Sequence, residues 1–127
     1  MAFVKQEKPF AYPIAGAQTI VDERATNSVQ ANVMSGSCAL HVVMIDCTLN
    51  PKEPIYLKIK NATSISATNA CQPDHQYYCP AGEKISYSIP EGLSFGTGMS
   101  YYVSKEAGVG GTTNPSGIVK VYMVVNA

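Results

Sequence analysis

Tryptophan is absent, arginine occurs once (Arg24) and histidine twice (His41, His75) in 127 residues. Charged residues make up 14% of the chain, against roughly 25% in an average soluble domain. Nine Lys plus Arg balance nine Asp plus Glu. Nothing in that balance steers the protein to DNA, RNA or an anionic membrane. A neutral, charge-poor surface repels its neighbours weakly, which suits a part of an assembly. No stretch approaches the roughly 18 apolar residues needed to span a bilayer as a helix. Lys5, Glu7 and Lys8 interrupt the start of the chain, so no apolar export segment forms. The expectation is synthesis and folding in a reducing cytosol. No window of 11 or more residues carries a 3.6-residue period, which excludes a long helix. Internal repeats and low-complexity tracts are also missing.

What is present is a period of two. Within Cys38–Leu49, Leu40, Val42 and Met44 alternate with His41, Val43 and Ile45. Both faces are apolar, which predicts a central strand buried on two sides. Over Pro54–Lys60, Ile55, Leu57 and Ile59 alternate with Tyr56, Lys58 and Lys60, the pattern of a half-solvated strand. Glu83–Ile89 alternates again, and Met99–Val103 and Ile118–Val125 have the aromatic and β-branched residues that strands prefer. Gln76–Cys79, Gln18–Val21 and Ser28–Met34 bring the count to about seven or eight. Asn50-Pro51, Pro80-Ala81-Gly82, Pro90-Glu91-Gly92, Gly96-Thr97-Gly98 and Asn114-Pro115-Ser116-Gly117 are turn chemistry. Their spacing of about ten residues is the rhythm of an all-β sandwich or barrel. The expected fold is a single antiparallel β-sandwich, jelly-roll-like, over residues 18–127. Residues 1–17 hold Pro9 and Pro13 and lack periodicity. They read as an extended N-terminal arm whose Phe3, Phe10 and Tyr12 grip a neighbouring subunit, or as an edge strand packed on its own domain.

Candidate chemistry is thin. Asp74, His75 and Cys79 could be forced into a nucleophile, base and orienter. Adjacent residues of an extended chain point in opposite directions, however, so Asp74 is badly placed to orient His75. Cys71, His75 and Cys79 supply two sulfurs and an imidazole on one turn-rich segment, a weak zinc candidate without a C-x-x-C knuckle. Cys71 and Cys79 flank a loop-like segment and can meet as a disulfide, whereas four thiols are the default in a reducing compartment. Cys38 and Cys47 lie nearly 30 Å apart at about 3.3 Å per residue if their run is straight. Gly108-Val109-Gly110-Gly111-Thr112-Thr113 lacks the following helix and lysine of a phosphate loop. Asn61-Ala62-Thr63 matches a glycosylation acceptor, which has no meaning without export. Neither a catalytic residue nor a cofactor is assigned. Tyrosine is plentiful, with eight residues, and suits protein interfaces as well as sugar platforms. Tyr77, Tyr78 and Tyr101, placed near loop tips, are candidate partner contacts together with Phe3, Phe10 and Tyr12.

Three stretches share a pattern of strands and turns. They are Val43-Met44-Ile45-Asp46 with Pro54-Ile55-Tyr56-Leu57-Lys58-Ile59-Lys60-Asn61-Ala62; Pro80-Ala81-Gly82 leading to Pro90-Glu91-Gly92-Leu93-Ser94-Phe95-Gly96-Thr97-Gly98-Met99-Ser100-Tyr101; and Gly108-Val109-Gly110-Gly111-Thr112-Thr113-Asn114-Pro115 before a final strand. Over roughly residues 38–125 this pattern resembles small virion proteins of tailed bacteriophages. The resemblance implies a compact β-sandwich that decorates or joins parts of a phage particle. The cysteines and the segment Cys71–Cys79 depart from it, so neither a bridge nor a metal is carried over. The expected function is a non-enzymatic capsid decoration or cement protein in the virion, bound to the major capsid protein or other virion proteins and homo-oligomeric, with a trimer favoured. A tail, baseplate or fibre component is the near alternative, and a glycan-binding adhesin module the distant one.

Overall fold

The computed structural model describes the backbone of residues 3–7 and residues 17–66, 72–109 and 113–126 in full. These residues form eight strands and no helix: β1 Phe3–Glu7, β2 Ala17–Asp22, β3 Cys38–Leu49, β4 Ile55–Asn61, β5 His75–Cys79, β6 Lys84–Phe95, β7 Met99–Ser104 and β8 Ile118–Asn126. They make two antiparallel sheets, ordered β1-β2-β8-β3-β6 and β5-β4-β7. Gln30 extends the smaller sheet by a bridge to Tyr101, beyond β7. The connections β3–β4, β5–β6, β6–β7 and β7–β8 each pass from one sheet to the other. Four strands β2-β8-β3-β6 thus face a bridge segment followed by β7-β4-β5, which is jelly-roll topology.

Period-two alternation sends one set of side chains inward from each sheet. Leu40, Val43, Ile45 and Cys47 of β3 and Val119, Val121, Met123 and Val125 of β8 meet Ile55, Leu57 and Ile59 of β4 and Met99, Tyr101 and Val103 of β7 in one core. Fully burying each Val, Leu or Ile contributes about 1.5–3 kcal/mol. One end of the sandwich is tied by Asn50, which has no exposed surface. Its Oδ1 accepts the Gly117 N–H at 2.8 Å and its Nδ2 donates to the Glu53 carbonyl at 3.1 Å. A Cβ on Gly117 would lie 2.4 Å from the Leu49 carbonyl oxygen, so only glycine fits there.

Several expectations change. Pro90-Glu91-Gly92 is not a turn between strands but a large bulge inside β6. The register slips from Val42↔Ser88 to Leu40↔Leu93, leaving His41 alone opposite four residues. Gly92 (φ 83°) crosses the His41 ring, where a Cβ would come within 2.8 Å of Cε1. A bulge on an edge strand bends it and discourages sheet-to-sheet pairing. Ser28–Met34 is not a strand but makes the single bridge at Gln30. Of the segment 1–17, read as an arm or as an edge strand of its own domain, residues 3–7 form β1, which pairs with β2 from Phe3↔Asp22 to Glu7↔Gln18. Phe10 and Tyr12 lie outside the described residues.

Candidate functional site

β5 holds four of the side chains that the sequence singled out, His75, Tyr77, Tyr78 and Cys79, and it is a strand rather than a loop tip. Its alternation turns His75, Tyr77 and Cys79 toward the sandwich and Gln76 and Tyr78 away from it. The inward trio closes the gap between β5 and the opposite sheet. The His75 ring meets Phe95 edge-on at 5.6 Å, Tyr77 meets Tyr87 at 5.1 Å, and the Tyr87 hydroxyl donates to the Tyr78 carbonyl. His75 and Cys79 sit four steps apart on one strand, about 13 Å, so they cannot share a metal ion. Cys71 lies outside the described residues, and among those described no three metal-ligating side chains converge. Asp74 is committed elsewhere: its Oδ2 accepts the Asn61 N–H at 2.6 Å, and Lys60 lies 3.9 Å from Oδ1.

Tyr101 is not a surface contact. It is an inward residue of a strand whose six residues are all buried, and its hydroxyl donates to Asp22 Oδ2 at 2.8 Å. Burial pushes the phenol upward, and the Asp22 charge and hydrogen bond push it further. Burial also raises the Asp22 carboxyl, against the hydrogen bonds from Tyr101 and the Arg24 N–H. Burial raises the thiols of Cys38, Cys47 and Cys79 as well, so the described cysteines stay protonated and are poor nucleophiles at neutral pH. Tyr78 is exposed and leans on Tyr56 at 5.4 Å. Asn61 Oδ1, in the glycosylation-like triplet, accepts the Thr97 and Gly98 N–H groups and pins that turn.

The two outer faces differ from what the sequence predicts. On β4 the Lys58 side chain was expected in solvent; it has no exposed surface. Its Nζ donates to the Gly108 carbonyl at 2.8 Å and lies 5.6 Å from the Tyr102 ring centroid. The Gly108 N–H in turn donates to Gln76 Oε1, and the Ser104 hydroxyl to the Glu106 carbonyl. The chain after β7 therefore lies across the outside of the small sheet. On β3 the outward residues were expected to be buried; Val42, Met44 and Asp46 are only half-buried. Strand pairing aligns Ser86, Met44, Tyr122 and Val21 in one row across four strands, and Ser88, Val42, Val124 and Thr19 in the next. Beyond them Asp46 sits between Lys84 and Lys120. Burial tends to raise the Asp46 carboxyl, but the Thr48 hydroxyl and N–H, with both lysines, hold it below its ordinary value. This outer face of the large sheet has a half-buried, uncharged patch around Met44 and Tyr122, with Val124 and Thr19 fully buried beside it and one carboxylate between two lysines at its border. Sequence reasoning passed over it, although a signal existed: a strand apolar on both faces needs a second cover, and the described residues contain no helix to provide one.

No protein-family model matches the chain, and no curated protein matches it either. Among solved structures the chain is similar to the crystal structure of Drosophila melanogaster CENP-C bound to CAL1. The identity is 7% over 96% of this chain and 79% of that one, with a TM-score of 0.24. A likeness that slight carries no argument.

Proposed function

We propose that this protein is a non-enzymatic structural component of a tailed-bacteriophage particle, acting as a capsid decoration or cement protein. The observation that carries the reading is the outer face of the five-stranded sheet. Val21, Val42, Met44 and Tyr122 form a half-buried, uncharged patch there, and Asp46 at its border is paired in register with Lys84 and Lys120, which hold its carboxyl down. Such a patch binds by burying apolar area against another protein, at about 25 cal/mol per Å² before association costs. Repetition over a lattice multiplies weak contacts into resistance to pressure. A trimer at local three-fold positions is the natural closed arrangement. The buried titratable groups support a passive role, because Asp22, Tyr101 and the three described thiols are tied into the fold. A tail or baseplate position uses the same patch against a different neighbour. The exposed Tyr78 on Tyr56 favours a second reading, a glycan-binding module, since a sugar ring stacks on an exposed aromatic face.

Three measurements decide. Quantitative mass spectrometry of purified particles is expected to find hundreds of copies per virion; a dozen or fewer means a tail part, and none overturns the reading. Co-sedimentation with capsids lacking the protein is expected to saturate at a fixed ratio. Glycan-array binding without capsid binding favours the adhesin.

A further inference from the structure

The closed seam between β5 and the large sheet ends in two cysteines that belong to opposite sheets. Cys47 of β3 and Cys79 of β5 both lack exposed surface, and both are thiols. They converge on one backbone oxygen: the Glu83 carbonyl accepts the Cys47 N–H at 2.7 Å and the Cys79 thiol at 3.4 Å. Cys79 Sγ also lies 3.5 Å from the carbonyl of Ile45, two residues before Cys47 on the same strand. The neighbouring Cys79 adds to the rise that burial imposes on the Cys47 thiol. Cys38, by contrast, sits at the far end of β3, nearly 30 Å away at about 3.3 Å per residue.

We infer that Cys47 and Cys79 are a disulfide-forming pair that staples the two sheets together when the chain folds, or opens locally, in the presence of a small-molecule disulfide such as oxidised glutathione. One protein thiolate attacks a sulfur of the oxidant, forming a mixed disulfide and releasing one glutathione thiolate. The second protein thiolate displaces the other glutathione. The two protein thiols together lose two protons and two electrons, the oxidant becomes two glutathione thiols, and one S–S bond joins β3 to β5. The closed sandwich buries both sulfurs, so exchange needs the Pro80–Glu83 turn to lift away. That turn is held by Gly82 N–H to the Asn50 carbonyl at 3.2 Å and Glu83 N–H to the Pro80 carbonyl at 3.3 Å. Bridging is therefore fast during refolding and slow in the native protein. The closed loop holds about 30 residues, and by the chain-entropy relation the bridge raises the melting temperature by about 10 °C. The inference is independent of the proposed function.

The test refolds the full chain from denaturant and reductant into a glutathione redox buffer and quenches with iodoacetamide. Trypsin, which cuts at Lys52, Lys58 and Lys60 between the two cysteines, then leaves Cys47 in peptide 25–52 and Cys79 in peptide 61–84, and fragmentation of the linked pair assigns the bridged cysteine in each. The expected result is a cross-linked pair containing Cys47 and Cys79, with Cys38 and Cys71 alkylated. The melting temperature is expected to fall by about 10 °C when a phosphine reductant is added. A double variant, Cys38→Ser with Cys71→Ser, is expected to keep both the cross-link and the shift. Alkylated or glutathione-capped Cys47 and Cys79, or a bridge from either to Cys71 or Cys38, overturns the inference.

Discussion

The outer face of the small sheet is covered by its own chain, whereas the outer face of the large sheet is left half open. Lys58, Ser100, Tyr102 and Ser104 lie under that cover with no more exposure than core leucines. Val42, Met44 and Tyr122 point outward from the large sheet and keep part of their surface in water. The covered face carries a lysine and two serines beside Tyr102, and the half-open one sets Val21, Val42, Met44 and Tyr122 beside Ser86 and Ser88. A polar face can be covered because each group finds a partner, Lys58 at Gly108, Ser100 at Ala62 and Ser104 at Glu106. An apolar face left half open has no such local requirement, and under the proposed function a second protein would bury it.

Removing the buried Tyr102 ring beneath the Lys58 ammonium has the largest expected effect. Tyr102→Ala leaves a ring-sized void under Lys58 and should destabilise the fold by about 3–5 kcal/mol. Thermal unfolding checks this, and a change below about 1 kcal/mol would show that the cover bears little on the fold. Lys58→Met comes next. It keeps the stem but deprives the Gly108 carbonyl of its donor, a cost of about 1–3 kcal/mol for the orphaned acceptor. Removing a buried charge offsets part of that cost. Hydrogen exchange should then quicken at Gly108 and Val109 while β3 and β8 stay protected; uniform quickening would mean that the cover and the core open as one unit.

A smaller effect concerns the buried pair that ties β2 to β7. The Asp22 carboxyl sits above its ordinary value in the folded protein, chiefly through burial. The native state therefore holds this proton more tightly than the unfolded state does. The contribution is fully present below the unfolded pKa and is lost as pH rises through the higher folded value. Asp46, Glu53 and Glu106 are shifted downward and act in the opposite sense. The difference in melting temperature between wild type and Asp22→Asn isolates Asp22. Wild type should lose ground to the variant as pH rises from about 4. A flat difference would show that Asp22 ionises normally.

The strands were legible because their signal is local. Cys38–Leu49 is β3 to the residue, and Ile118–Val125 falls one residue short of β8. What failed depends on partners distant in sequence. Lys58 read as solvated because its cover arrives fifty residues later, at Gly108. Tyr101 read as a loop-tip contact because its partner is Asp22, seventy-nine residues earlier. Cys79 was weighed against Cys71, its sequence neighbour, whereas the sandwich sets it beside Cys47. Pro90-Glu91-Gly92 carries turn chemistry, and the same chemistry serves a bulge when the chain continues along the strand it left. The candidate patch on the large sheet escaped notice for a related reason. Period two shows that two faces exist but not which one the rest of the chain covers.

The smallest expected effect on stability goes with the sharpest expected effect on association. Met44→Gln and Tyr122→Gln stand opposite each other across β3 and β8 on the open face. Half-exposed positions of this kind shift stability by about 1 kcal/mol or less. The double variant should melt within a few degrees of wild type and still fail to co-sediment with capsids, because the apolar area that drives docking is gone. Tyr78→Ser, on the outer side of the small sheet, should leave capsid binding unchanged. Loss of binding in Tyr78→Ser with retention in the double variant would move the contact to the Tyr56–Tyr78 pair, and with it the balance toward a glycan-binding surface. Retention in both variants would remove both tyrosine-bearing faces from the interface.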